Sequence, residues 1–94
     1  MTSLRFLWDE RKNSVNRKRN GVSFEEAQSV FYDENAKHYF DPDHSQDEDR
    51  FIMLGISSRL RILVVCHCHR EGGAAIRIFS TRKATRAEQK AYEG

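Results

Sequence analysis

The sequence predicts a small α+β domain, with two helices near the N-terminus, an antiparallel meander in the middle and a short helix at the C-terminus. Three observations lead there. Three consecutive runs, Arg50 to Ser58, Arg59 to Arg70 and Ala74 to Thr81, are rich in apolar and β-branched residues, as strands are. Glu71-Gly72-Gly73, between the last two runs, supplies a hairpin turn. Ser23 with Glu26, and Thr85 with Glu88, have capping-box spacing, in which a side chain and a backbone N–H at a helix start satisfy each other.

Leu4 to Trp8 is short, apolar and aromatic, which suits a first strand. Asp9 can cap a helix through Glu10 to Asn20, and Gly21 stops it. That helix has few apolar positions, so it reads as basic and largely solvated. The second helix starts after Ser23, and Phe24, Ala27, Val30 and Phe31 recur on one face as far as Tyr32. Ala36 to Asp41 reads as a short strand. The acidic stretch that follows is a loop, because Asp41-Pro42 breaks any helix. Ile62 to Cys66 is apolar on both faces and belongs inside the sheet. The last helix begins near Arg86, giving the order β-α-α-β-β-β-β-α.

Ninety-four residues close around a single core, so residues 1–94 are expected to form one domain. No apolar run approaches the about 20 residues of a membrane span, and the N-terminus lacks a signal-peptide core. The expectation is a cytoplasmic protein without membrane contact. Cys66 and Cys68 lie two apart in a strand, where a disulfide between them would be strained, so both are expected as thiols.

A net charge of +2 conceals a sharper pattern. Met1 to Ser23 sums to +4, Phe24 to Phe51 to −7 and Ile52 to Gly94 to +5. If folding joins the two basic ends, the molecule gains a face that collects a polyanion. The plain alternative is a dipolar, solvated surface.

The alternation of a strand sets Arg61 against Ile62 and Val64, and Arg77 against Ile76 and Ile78. A hairpin would bring Arg61 and Arg77 together, with Arg82 and Lys83 at the strand end. Guanidinium forks fit phosphate oxygens and can neutralise charge building up on phosphorus. Against this, each arginine can simply pair with a carboxylate of the acidic segment. Lys12, Lys18 and Arg19 of the first helix can track a nucleic-acid backbone, and Trp8 can either stack on a base or fill the core. The loop "DPDHSQDEDR" contains His44, Glu48 and Arg50. His44 or Glu48 can serve as the base for a 2′-hydroxyl, or the acids can hydrogen-bond their own turn.

In "CHCH" the two cysteines point one way and His67 and His69 the other, and no second pair has zinc spacing, so no metal or other cofactor is expected. Glycine-rich phosphate loops, nucleophile elbows and His-Glu-x-x-His pairs are absent from the sequence. From the residues alone the reading stops at a basic-faced domain suited to RNA.

Four segments together resemble a known family. Trp8-Asp9, Asn16 followed by "NGVSFEEA" (Asn20 to Ala27), "DPDHSQDEDRF" (Asp41 to Phe51) and "RIFSTRKATRAEQKAYE" (Arg77 to Glu93) are similar to the BrnT toxins of bacterial type II toxin-antitoxin systems. The resemblance implies a RelE-like fold: a small twisted antiparallel sheet with helices packed on it. It also implies a metal-independent endoribonuclease that cuts messenger RNA and halts translation. A BrnA antitoxin with a ribbon-helix-helix domain would neutralise it, and operator DNA would be reached only through that partner. On this resemblance Arg82 grips the scissile phosphate, and the helix started by Thr85 closes that side of the site. The chain departs from the family at Arg19-Asn20-Gly21, where Lys-His-Gly is usual, so Asn20 stands in place of the family histidine.

Overall fold

The computed structural model describes residues 4–94. Eight elements follow one another in the expected order: β1 (Arg5–Leu7), α1 (Glu10–Asn20), α2 (Phe24–Ser29), β2 (Lys37–Phe40), β3 (Phe51–Ile56), β4 (Ile62–Arg70), β5 (Ala75–Lys83) and α3 (Arg86–Glu93). The five strands lie in the order β1-β5-β4-β3-β2. Strands β2 to β5 form the antiparallel meander, whereas β1 runs parallel to β5 and makes the sheet mixed. The sequence pattern does not show this edge, because β1 reaches β5 by way of two helices and no hairpin fixes its direction.

Helix starts and stops use the residues that the sequence singles out. The Asp9 carboxylate accepts from the N–H groups of Arg11 and Lys12, and Ser23 Oγ accepts from Glu26 N–H. Gly21 ends α1 at φ 71°, in the left-handed region that a side chain disfavours. Thr85 and Glu88 close a full capping box at the start of α3.

One sheet face carries α2 over the main core: Val22, Phe24, Ala27 and Val30 pack on Leu63, Val65, Ile76 and Ile78, with Phe6, Trp8 and Phe31 at the rim. The other face carries α3, where Ala84 and Tyr92 cover Leu54, Val64, Ile52 and Ile62. Tyr92 Oη also donates to Asp33 Oδ2 at 2.6 Å. Gly55 is fixed by a close approach: a Cβ there would lie 2.9 Å from both Ala36 Cβ and Val30 Cγ1, where the chain before β2 crosses β3.

Helix α1 buries little apolar surface, and polar side chains dock it. Asn13 Oδ1 accepts from Phe24 N–H at 2.9 Å. Asn16 Nδ2 donates to the carbonyls of Val22 (2.8 Å) and Thr81 (2.9 Å), while its Oδ1 accepts from Thr81 N–H at 3.1 Å. Strand β1 pairs with β5 only as far as Arg77, so beyond it the Asn16 amide takes the place of a neighbouring strand.

Replacing Asn16 with Ala leaves the buried N–H of Thr81 without that partner and its C=O with Asn20 Nδ2 alone, and is expected to cost about 3 kcal/mol of unfolding free energy. Urea titration of the two proteins measures it. A loss below about 0.5 kcal/mol would mean that water or a neighbour fully replaces the amide.

Candidate nucleic-acid interface

A bulge in the sheet creates the site. Cys66 pairs with Ser80 but His67 pairs with Ile78, so Phe79 is the extra residue on β5 and its ring is re-aimed beside α1. Cationic groups surround that ring: Arg50 Cζ lies 3.9 Å from its centroid, Lys12 Nζ 5.7 Å and Arg77 Cζ 5.8 Å. Lys12, Arg50 and Arg77 form no ion pair among the described residues, so their charge is available to a polyanion.

An open cleft of about 410 Å³ runs along this part of the sheet. Lys12 and Asn20 of α1 form one wall, and Asp41, His44 and Arg50 of the loop after β2 form the other. Ile52, Val64, Cys66 and Ser80 make the floor, and Arg82 closes one end. The loop holds its shape because Asp41 N–H donates to Arg50 C=O at 2.9 Å and Arg50 N–H donates to Ser45 Oγ at 2.9 Å. His44 is exposed, and its Nδ1 meets the buried carboxylate of Asp41 at 2.8 Å. Such a carboxylate orients an imidazole and fixes which nitrogen is presented. Burial raises the Cys66 thiol above its ordinary range, so the floor carries no thiolate.

Arg82 donates two hydrogen bonds to the Glu88 carboxylate, at 2.8 and 3.0 Å. The Arg82 bonds hold the Glu88 carboxyl down to about 2, with help from the N–H and hydroxyl of Thr85. Arg82 thus sits in the cleft with a partner that a phosphate would have to displace or share.

The three arginines expected together are not gathered. Arg77 and Arg82 share the α3 face of the sheet, opposite Cys68 and Val64 of β4. Arg61 lies elsewhere, because Arg59, Leu60 and Arg61 belong to the β3–β4 turn and not to the strand; Ser57 N–H donates to Arg61 C=O at 2.8 Å. The Arg61 guanidinium binds the buried Glu26 carboxylate through Nε at 3.0 Å and through Nη2, and Ser57 Oγ adds a third bond. The Arg61 bonds lower the Glu26 pKa and keep it charged. Arg61 is therefore a structural counter-ion, and its loss would strand a buried carboxylate.

The other expected residues divide in the same way. Lys12, His44 and Arg50 line the cleft, and Arg19 lines an adjoining groove on α1 with Arg11 and Val15. Lys18 is exposed but lies outside both. Lys83 borders a separate shallow groove with Leu60 and Arg61. Glu48 is bound through both carboxylate oxygens by Arg70 and does not line the cleft. Trp8 is core: its ring meets Phe24 edge-on at 6.0 Å and its Nε1 donates to Glu10 at 2.8 Å. Phe79 is the cleft residue that the sequence reading missed. A bulge is invisible in a strand pattern, so Phe79 reads there as an ordinary strand residue.

Fold and cleft together define a small α+β protein with a cationic groove, organised around an aromatic ring and suited to a polyanion. Residues 8–88 match the family described as "Ribonuclease toxin, BrnT, of type II toxin-antitoxin system", and the chain belongs to that BrnT family of ribonuclease toxins. The fold is similar to the crystal structure of the Brucella abortus ribonuclease toxin BrnT, with a TM-score of 0.65 and 24% identity over 89% of this chain and 100% of that one. None of the curated proteins compared is similar in sequence. Among the described residues no helix is long and apolar enough to cross a membrane.

A depressed carboxyl pKa stabilises the fold above the unfolded value and loses that contribution as the folded value is approached. For Glu88 the window runs from about 4.5 down to about 2. Denaturant unfolding at about pH 5 and about pH 3 is expected to show a smaller acid loss in Glu88→Gln than in the unchanged protein. Equal losses would detach Glu88 from acid stability.

Proposed function

We propose that this chain is a cytoplasmic endoribonuclease toxin that cuts RNA without a metal cofactor and so halts translation. A BrnA-like ribbon-helix-helix antitoxin would hold it inactive and would alone contact operator DNA. The observation that carries the RNA reading is Phe79, a half-buried ring ringed by Lys12, Arg50 and Arg77 inside a cleft that also holds Arg82 and His44. A base can stack on such a ring while the cations take the flanking phosphates.

In this reading the 2′-hydroxyl oxygen attacks the adjacent phosphorus and the bond from phosphorus to the 5′-oxygen breaks, leaving a 2′,3′-cyclic phosphate and a 5′-hydroxyl that takes its proton from the His44 imidazolium or from water. The Asp41 carboxylate receives the Nδ1 proton of His44 in a hydrogen bond, which leaves Nε2 to accept the proton of the hydroxyl. Arg82 and Arg50 stabilise the charge on the pentavalent phosphorus, and Arg77 and Lys12 hold the strand. The nucleophile is already tethered to its target, so positioning and electrostatics supply most of the acceleration. Likeness to the RelE ribonucleases, implied by the sequence resemblance, supports this arrangement.

A second reading, a module that binds RNA or protein without cutting, is favoured by two observations. Asn20 stands where the family usually has histidine, and its amide is occupied with Thr81 C=O at 3.0 Å. Arg82 is already satisfied by Glu88.

Incubation of the purified chain with RNA in excess chelator separates the readings. Cleavage is expected, with a loss of at least about 100-fold in Arg82→Ala, assayed well below that variant's thermal midpoint because it also loses the Glu88 ion pair. Binding without cleavage would establish the module, and full activity in Arg82→Ala would remove Arg82 from the site.

Asn20 lines the cleft beside the same floor as His44. Asn20→His is expected to raise the cleavage rate by at least about 10-fold, because an added imidazole there can carry a proton. An unchanged rate would show that position 20 takes no part in proton transfer.

A further inference from the structure

On the sheet face opposite the α3 side, three histidines converge. His67 and His69 come from β4, and His38 comes from the edge strand β2, two strands away. Their ring centroids form a nearly equilateral triangle with sides of 5.3, 5.5 and 5.6 Å. One ring nitrogen from each lies within 4.8 Å of the other two.

His67 is completely buried. Its Nδ1 meets Val65 C=O at 3.1 Å, while its Nε2, equally buried, has no hydrogen-bond partner among the described residues. A backbone carbonyl on one nitrogen is the usual outer support of a metal-ligating imidazole, since it fixes the tautomer and aims the other lone pair. Leaving that lone pair unmatched in the interior is costly unless something occupies it. His38 and His69 are exposed and close the triangle from the solvent side. Phe51 stacks on His38 at 4.8 Å and Phe31 meets His67 edge-on at 4.8 Å, an apolar surround that orients the rings.

We infer that His38, His67 and His69 form a three-nitrogen site for a divalent transition metal, of which zinc is the chemically natural occupant. Three imidazoles suit Zn²⁺, Ni²⁺, Co²⁺ or Cu²⁺, and exclude the oxygen-seeking Mg²⁺ and Ca²⁺. Tetrahedral zinc with bonds of about 2.1 Å needs nitrogens about 3.4 Å apart, so the two exposed rings close in on His67 by small rotations. The fourth position faces solvent and takes water. Such a metal ties β2 to β4 across β3 and clamps the sheet edge that otherwise ends at a four-residue strand. The cysteines take no part, because Cys66 and Cys68 lie on the other face.

Titration of the purified full chain with ZnCl₂ by calorimetry, and with CoCl₂ by visible absorption, tests the site. One ion per chain is expected, with Co²⁺ bands free of thiolate charge transfer and a rise in thermal midpoint with Zn²⁺. His38→Ala and His69→Ala, both at exposed positions, are each expected to weaken binding at least about 10-fold while keeping the metal-free thermal midpoint. Cys66→Ser is expected to change nothing. Absence of stoichiometric binding, affinity unchanged in both histidine variants, or loss of binding in Cys66→Ser would overturn the assignment and leave the triangle a packing cluster. These measurements are independent of RNA cleavage, so they stand or fall apart from the ribonuclease reading.

Discussion

The position of α1 on β5 rests on Asn16, whose side-chain amide bonds both the N–H and the C=O of Thr81 and also holds the carbonyl of Val22. The helix is polar on almost every face, so hydrophobic burial cannot place it. A carboxamide presents a donor and an acceptor side by side, as a neighbouring strand would, and it does so at the point where β1 has ended. One residue thereby seals an open sheet edge and sets where Lys12 and Asn20 stand relative to Phe79. The wall of the cleft follows from that fixed distance.

Electrostatics then sorts the basic residues. Arg61 is consumed by the buried Glu26, Arg70 by Glu48 and Arg5 by Glu71. What remains around Phe79 is the set without an ion pair among the described residues, Lys12, Arg50 and Arg77. A buried carboxylate must have its counter-ion, whereas cations held over an aromatic ring keep their attraction for an incoming anion. Arg82 stands between these groups, since its carboxylate partner is itself half-exposed and belongs to the capping box of α3. Helix capping and the state of the cleft arginine are therefore coupled through Glu88.

The sheet gives its two faces different chemistry. One side holds the cleft, with the thiols of Cys66 and Cys68; the other holds the main core and, at its edge, the histidine triangle. Strict alternation along β4 produces this division, and the single bulge at Cys66/His67 lets Phe79 leave the pattern without disturbing the residues on either side.

Local signals were legible in the sequence because they act over a few residues: Asp9, Gly21, Ser23 and Thr85 mark helix ends, the apolar runs mark β3 to β5, and the opposite facing of cysteine and histidine in "CHCH" follows from strand periodicity alone. The family, too, was legible, through segments that recur in order along the chain. Pairings between distant residues were not. No spacing rule shows that Glu26 claims Arg61, that Trp8 turns inward onto Phe24, or that His38 meets His67 and His69, since each depends on where separate elements come to lie. Strand propensity gave Arg59 to Arg61 to β4, and the turn that Ser57 closes took them out of it. The sequence determines which residues are basic and which elements form; only the packed structure decides which charges are spent internally, because that choice depends on burial and on distances set by the whole chain.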